Sequence, residues 1–272
     1  MGANARCARF AAVVDAFVGR VYNFAFRMTL DPELAATVTA EVFASGHRAE
    51  PELRADDAGA GLTLLRLARE LLDQRLPRSP DLNFEVLDDT LRSEATRTDV
   101  VRSMSDPQRE YLLWELKQGC MTSVINCLPP GERAAFIAAH LLKLDDESAA
   151  TMLGIRVSAF RVRLSRARQK ITDHLAPRCE HVDPMNPCRC PARVGTALRK
   201  GFIAPMPVGG EVSLRGPLIP YGRYGAGAKR DDAPMRDIAT IYGGLPDPEL
   251  PPTLLGRLHA ALTAGAWDAP PA

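Results

Sequence analysis

The stretch "CEHVDPMNPCRC", residues 179–190, sets four soft or borderline ligands close together: Cys179, His181, Cys188 and Cys190. Thiolate and imidazole favour Zn²⁺ or Cu(I) over hard, oxygen-seeking ions. Cys188 and Cys190 are one residue apart, and Pro187 bends the approach so that both can reach one ion. The spacing is not the C-x2-C pair of a zinc ribbon. Pro184, Asn186 and Pro187 also suit a plain turn on which the cysteines pack, and closely spaced thiols suit a redox switch. These three readings stay open on the residues alone. Cys7, Cys120 and Cys127 read as core-packing groups, although Cys127 could complete a site with the C-x-C element.

A second stretch points to different chemistry. In "ESAATMLGIRVSAFRVRLSRARQK", Ala150, Gly154 and Phe160 have helix-turn-helix spacing. The small residue lets two helices touch, the glycine permits a left-handed turn, and the aromatic ring fills the core. On a helical wheel Phe160, Leu164, Ala167, Ile171 and Leu175 form the buried side. Ser158, Arg161, Val162 and Ser165 fall opposite and suit entry into a major groove. Arg156, Ala159, Arg163, Arg166 and Arg168 complete the expected DNA-binding set, and Lys170 flanks it, with the arginines placed for phosphate contacts.

These groups need a helical scaffold. Phe10, Val13, Val14, Phe17, Val21, Phe24 and Met28 recur at helical spacing. Asp31 and Pro32 open a second helix over 31–44, and "GLTLLRLARELLDQRL" (61–76) makes a third, with the polar stretch 45–60 between them. Residues 77–105 read as a linker with a weak helical run at 85–97. Helices resume over 106–127 and 128–175. From about 191 the chain turns Gly- and Pro-rich, and 201–235 reads as loop or disorder. A last helix is expected at 251–264. Strand signals are poor, so the expected class is all-α.

Net charge is +1, so any attraction to a polyanion must be local, as in the basic run 161–170. The sequence has no apolar run long enough to span a membrane. The N-terminus lacks a signal-peptide pattern, and six cysteines without one suit a reducing cytoplasm. No P-loop, His-Glu-x-x-His or nucleophile elbow occurs, so no enzyme is expected.

The chain resembles the extracytoplasmic-function (ECF) sigma factors of bacterial RNA polymerase. "LPPGER", "AATMLGI" and "RLSRAR" match in order the family's C-terminal, −35-reading domain, over 106–175. "FAAVVDAFVGRVYNFAFRMTLDPELAATVTAEVFA" and "LTLLRLARELLDQRL" look like its N-terminal domain. The resemblance implies two small helical domains. They are a region 2-like domain at 6–78 and a region 4-like domain at 106–178, joined by the linker 79–105. The Cys-containing junction and extension follow at 179–272. It implies core polymerase and promoter DNA as partners, with Val38, Glu41, Val42 and Phe43 on the polymerase-binding helix. The chain departs from the family at Ala36, Thr37 and Ala40, where an acidic pair and a glutamine are usual, and at Thr63 and Glu70. "NPCRC" and the "CLP" at 127–129 are similar to ECF members with metal-sensing, cysteine-rich extensions. The expected function is promoter recognition regulated by intramolecular contact of the extension. The alternatives are a stand-alone regulator that has lost polymerase binding, or a metal- or redox-sensing variant.

Overall fold

The computed structural model describes residues 3–49, 53–57, 59–91, 106–204 and 237–268. They form helices and turns, with no β-strand among the described residues, so the all-α expectation holds. Their contacts define two compact units built from interleaved segments.

The first unit gathers 1–79, 129–164 and 247–272. Helix α1 (Ala3–Thr29) buries Phe10, Val13, Val14, Val18, Val21, Phe24 and Met28 along one stripe. It ends where Leu30 enters the left-handed region at φ 57°. Asp31 then starts α2 (Pro32–Ala49), its Oδ1 accepting the amides of Glu33 at 2.9 Å and Leu34 at 3.0 Å. Helix α2 runs past the expected end at 44 because Gly46 lets it approach the next helix. A Cβ there would sit 3.1 Å from Leu64 Cδ2. Helix α3 (Ala60–Asp73) buries Ala60, Leu64, Leu65, Ala68 and Leu72, three- and four-residue steps that face α1 and α2.

Next along the chain, α4 (Phe84–Leu91) belongs to the second unit. Helix α5 (Asp106–Asn126) also belongs to the second unit, and α6 (Pro130–Phe136) returns to the first. Helix α6 opens with proline in its first turn and runs on as a π-helical turn, Ile137–Leu141. The buried Arg133 guanidinium donates to the Met28 carbonyl and so satisfies the open end of α1. Helices α7 (Asp146–Leu153) and α8 (Val157–Leu175) follow, with α7 packed on α3.

The last helix of the first unit, α11 (Leu254–Thr263), comes from the far end of the chain. Its buried Leu254, Leu258 and Leu262 recur every four residues. It runs antiparallel to α1. Asn23 Nδ2 donates to Asp247 at 2.5 Å, Asp15 meets His259 at 2.8 Å, and the Cys7 thiol lies 3.9 Å from the Leu262 carbonyl. Past the helix, Trp267 stands edge-on to Phe10 at 6.0 Å between centroids. The neighbouring Asp268 accepts from His47 Nε2 at 3.1 Å. The expected last helix is therefore present, and it is built into the N-terminal bundle.

The second unit gathers 80–128 and 165–246. Leu112, Leu113 and Leu116 of α5 bury against Cys190, Val194, Ala197 and Ile203. Those residues belong to or follow α9 (Cys190–Arg199), a helix at the point where the sequence turns Gly- and Pro-rich and for which no helix is expected. Helix α10 (Ile238–Gly243) is anchored by the buried Tyr242, whose hydroxyl donates to the Met121 carbonyl at 3.2 Å. The expected linker run at 85–97 appears as α4, and its later part, like most of 201–235, lies outside the described residues.

Candidate nucleic-acid interface

The expected turn geometry is present at 145–160. Asp145 caps α7, accepting the Ser148 amide at 2.7 Å and its hydroxyl at 2.9 Å. Those two bonds hold the Asp145 carboxyl below its ordinary range. Gly154 ends α7 at φ 61°, and Ile155 N–H reaches back to the Ala150 carbonyl at 3.0 Å. A side chain at 154 would be strained in that conformation. Ala149, Ala150, Met152 and Leu153 are buried on α7, as are Phe160 and Leu164 on α8.

Helix α8 then presents its other side to solvent. Arg156, Ser158, Ala159, Arg161, Val162, Ser165, Arg166 and Arg168 are all exposed. Val162, 49% exposed, is an apolar group on an otherwise polar face, where a thymine methyl offers a partner. Arg163 differs from the rest. It is half-buried, and its guanidinium lies 3.2 Å from where a Cβ on Gly131 would sit. Arg161 Nε donates to Asp146 at 2.6 Å. Asp146 was not singled out by the sequence pattern, because the pair joins two helices 15 residues apart.

This arrangement places an exposed basic helix on a helix-turn-helix support, a class of protein that binds duplex DNA through the major groove. Residues 118–171 match the family model described as Sigma-70, region 4, which supports a promoter-recognition role at the family level. No curated protein matches the chain. If Arg166 touches the phosphate backbone, Arg166→Ala should reduce the log–log salt slope of duplex binding by about 1. Equilibrium binding over a salt series measures it, and an unchanged slope rules the contact out.

The positions expected for polymerase binding fall differently. Val38, Val42 and Phe43 are fully buried in the first unit. Glu41 reaches solvent and accepts from Arg75 at 2.5 Å. The outward side of α2 is formed by Glu33, Thr37, Ala40 and Glu41.

The cysteine-rich stretch lies in the second unit. Cys179 and Cys188 pair through their backbones as an isolated bridge, and Asn186 Nδ2 donates to the carbonyls of Ala176 and Cys179 at 2.7 and 3.0 Å. Of the four expected ligands, His181 and Cys190 come together, with Nε2 and Sγ 3.4 Å apart. Glu180 joins them, the three ligand atoms lying within 4.8 Å of one another, while Cys179 and Cys188 are outside this group. Glu180 also accepts the Cys190 amide at the start of α9, and burial raises its carboxyl pKa. Burial pushes the Cys179 thiol up to about 11 and raises Cys120 further, with Cys179, Cys188 and Cys127 adding to the effect on Cys120. Thiols held protonated in this way are poor nucleophiles, which weighs against redox reactivity at Cys120 and Cys179.

Helix α4 borders the later part of α8 in the same unit. Phe84 stacks on the buried His174 at 4.7 Å, and Asp88 pairs with Arg178 at 3.2 Å. Burial is the main cause that lowers the His174 pKa from 6.5; Asp88 opposes the shift and Arg178 adds to it. The unfolded chain therefore takes up the proton first as pH falls. The stability tied to neutral His174 is present above pH 6.5 and is lost as pH falls towards the lowered folded value. Denaturant titrations at about pH 7.5 and 5.5 should show a smaller acid loss for His174→Gln than for the wild type. Equal losses would remove His174 as the cause.

Proposed function

We propose that this chain is a sigma factor of the ECF type, bringing core RNA polymerase to specific promoters for transcription initiation. The observation that carries the reading is the match of residues 118–171 to sigma-70 region 4, on a helix whose basic face is exposed. In this reading 6–78 is the region 2-like domain, 79–105 the linker, 106–178 the region 4-like domain and 179–272 the junction and extension. The chain does no covalent chemistry of its own, and it acts in the cytoplasm. Base contacts from α8 select the promoter, and their binding free energy places polymerase there. The extension regulates through its hold on α1 and α2, a role supported by the contacts of Asp247, His259, Trp267 and Asp268.

The test is run-off transcription with core polymerase, with and without added Zn²⁺, copper or a strong chelator. Promoter-specific transcripts that depend on the chain are expected. A chain that neither co-purifies with core polymerase nor supports initiation would instead fit a stand-alone DNA-binding regulator. That second reading is favoured by Thr37 and Ala40 on the outward side of α2, where the family carries acidic and amide groups. A metal-responsive variant of the first reading, related to the cysteine-rich-extension subgroup, is supported by Glu180, His181 and Cys190. Their 3.4 Å S···N separation is close to the tetrahedral edge of about 3.5 Å that Zn–S and Zn–N bond lengths give. Bound zinc there would staple the turn after α8 to the start of α9.

A further inference from the structure

Arg161 sits in the second turn of α8, and its side chain is 64% exposed. An exposed arginine normally samples many rotamers, yet here its Nε is held at 2.6 Å by Asp146 from the first turn of α7. A guanidinium is a planar fork of five N–H groups. A bond through Nε fixes the plane and leaves the far edge, Nη1 and Nη2, for a second partner. That edge matches guanine O6 and N7 in the major groove. The hydrogen bond and the charge of Asp146 also favour the protonated guanidinium.

We propose that Asp146 is a positioning residue for base reading, orienting Arg161 so that its two Nη nitrogens meet a guanine. The inference rests on the promoter-reading role above. Two expected effects separate this role from that of an ordinary surface ion pair. Exposed pairs contribute little to stability, so loss of a mere staple would change neither folding nor base preference. An aspartate on a DNA-facing surface also repels phosphates. Removing it should therefore raise non-specific affinity while lowering discrimination at one base pair, two effects of opposite sign.

The experiment uses the full chain, with and without core polymerase, and a library of randomised duplex DNA. The wild type should enrich a motif containing one guanine whose preference Arg161→Ala erases. Asp146→Ala should weaken the preference at that same position roughly tenfold, a partial loss of what a bidentate contact supplies, and leave the other positions intact. Asp146→Asn, whose amide oxygen still accepts from Nε, should retain most of it. Melting temperatures should stay near the wild type, since Asp145 supplies the cap of α7. Undiminished guanine preference in Asp146→Ala, or equal loss at every position, would overturn the proposal. If the wild type selects no motif under either condition, promoter reading itself falls, and this inference falls with it.

Discussion

Trp267→Ala is expected to destabilise the first unit by about 3–5 kcal/mol, the usual cost of emptying a buried aromatic site. Trp267 is 6% exposed and stands over Phe10, with the His47 ring 6.0 Å away. Removing the indole leaves a void beside Phe10 that neighbouring helices can close only in part. The polar ties at Asp247 and His259 would remain, so the segment 247–268, which straps α1, should loosen from its far end. Whole domains are stable by only about 5–15 kcal/mol, so the loss is a large share of the total. Denaturant unfolding of the full chain measures it. Alkylation of Cys7, followed by mass spectrometry, gives a local reading, because that thiol faces the Leu262 carbonyl. Cys7 should label faster in the variant, while the buried Cys127 should not. An unchanged Cys7 rate with unchanged stability would show that the strap is not part of this core.

This prediction bears on how the extension can regulate. A strap that lends three leucines and a tryptophan to the N-terminal bundle is not a simple cover. Deleting 247–272 would expose Phe10 and its neighbours as well as free the surface beneath. A graded loosening by Trp267→Ala separates those effects better than truncation. The outward side of α2, with Thr37, Ala40 and Glu41, is solvent-accessible with the strap in place. Regulation by the strap would therefore act through the packing of α1 and α2.

How much of this was legible depended on the range of the interactions involved. The α1 stripe and the Ala–Gly–Phe turn follow from local periodicity and a single left-handed glycine, and both could be read directly. The end of α2 could not. Gly46 and His47 look like a turn in isolation, but here the glycine admits Leu64 and the histidine pairs with a residue 221 positions away. Helix α9 is masked in the sequence because Cys190 reads as a ligand and Pro187 as a bend, whereas Pro191 in a first helical turn is a start signal. Glu180 carries no soft-ligand signal in the sequence. It became visible only when the turn 179–188 folded back. Val38, Val42 and Phe43, which the resemblance places on the polymerase-binding helix, lie on the inward side of α2, where Val42 and Phe43 follow Val38 by four and five positions.

Phe160→Ala should abolish duplex binding and cost about 3–5 kcal/mol, because it empties the core under the DNA-facing helix. Phe160 is 0% exposed and lies one residue before Arg161. Its ring and the Leu164 side chain are the buried counterweight to the exposed Arg161, Val162 and Ser165 on the same two turns. With the ring gone, α8 has less to fix its rotation, and a base-reading side chain misplaced by an ångström loses its hydrogen-bond geometry. Phe160→Leu keeps most of the volume and should cost under about 1.5 kcal/mol while preserving binding. Arg161→Ala should give the reverse pattern, with unaltered melting and weakened, less selective binding. Thermal unfolding and gel-shift titration of the three variants separate support from contact. Full binding by Phe160→Ala would mean that α8 is oriented by something other than its own buried face.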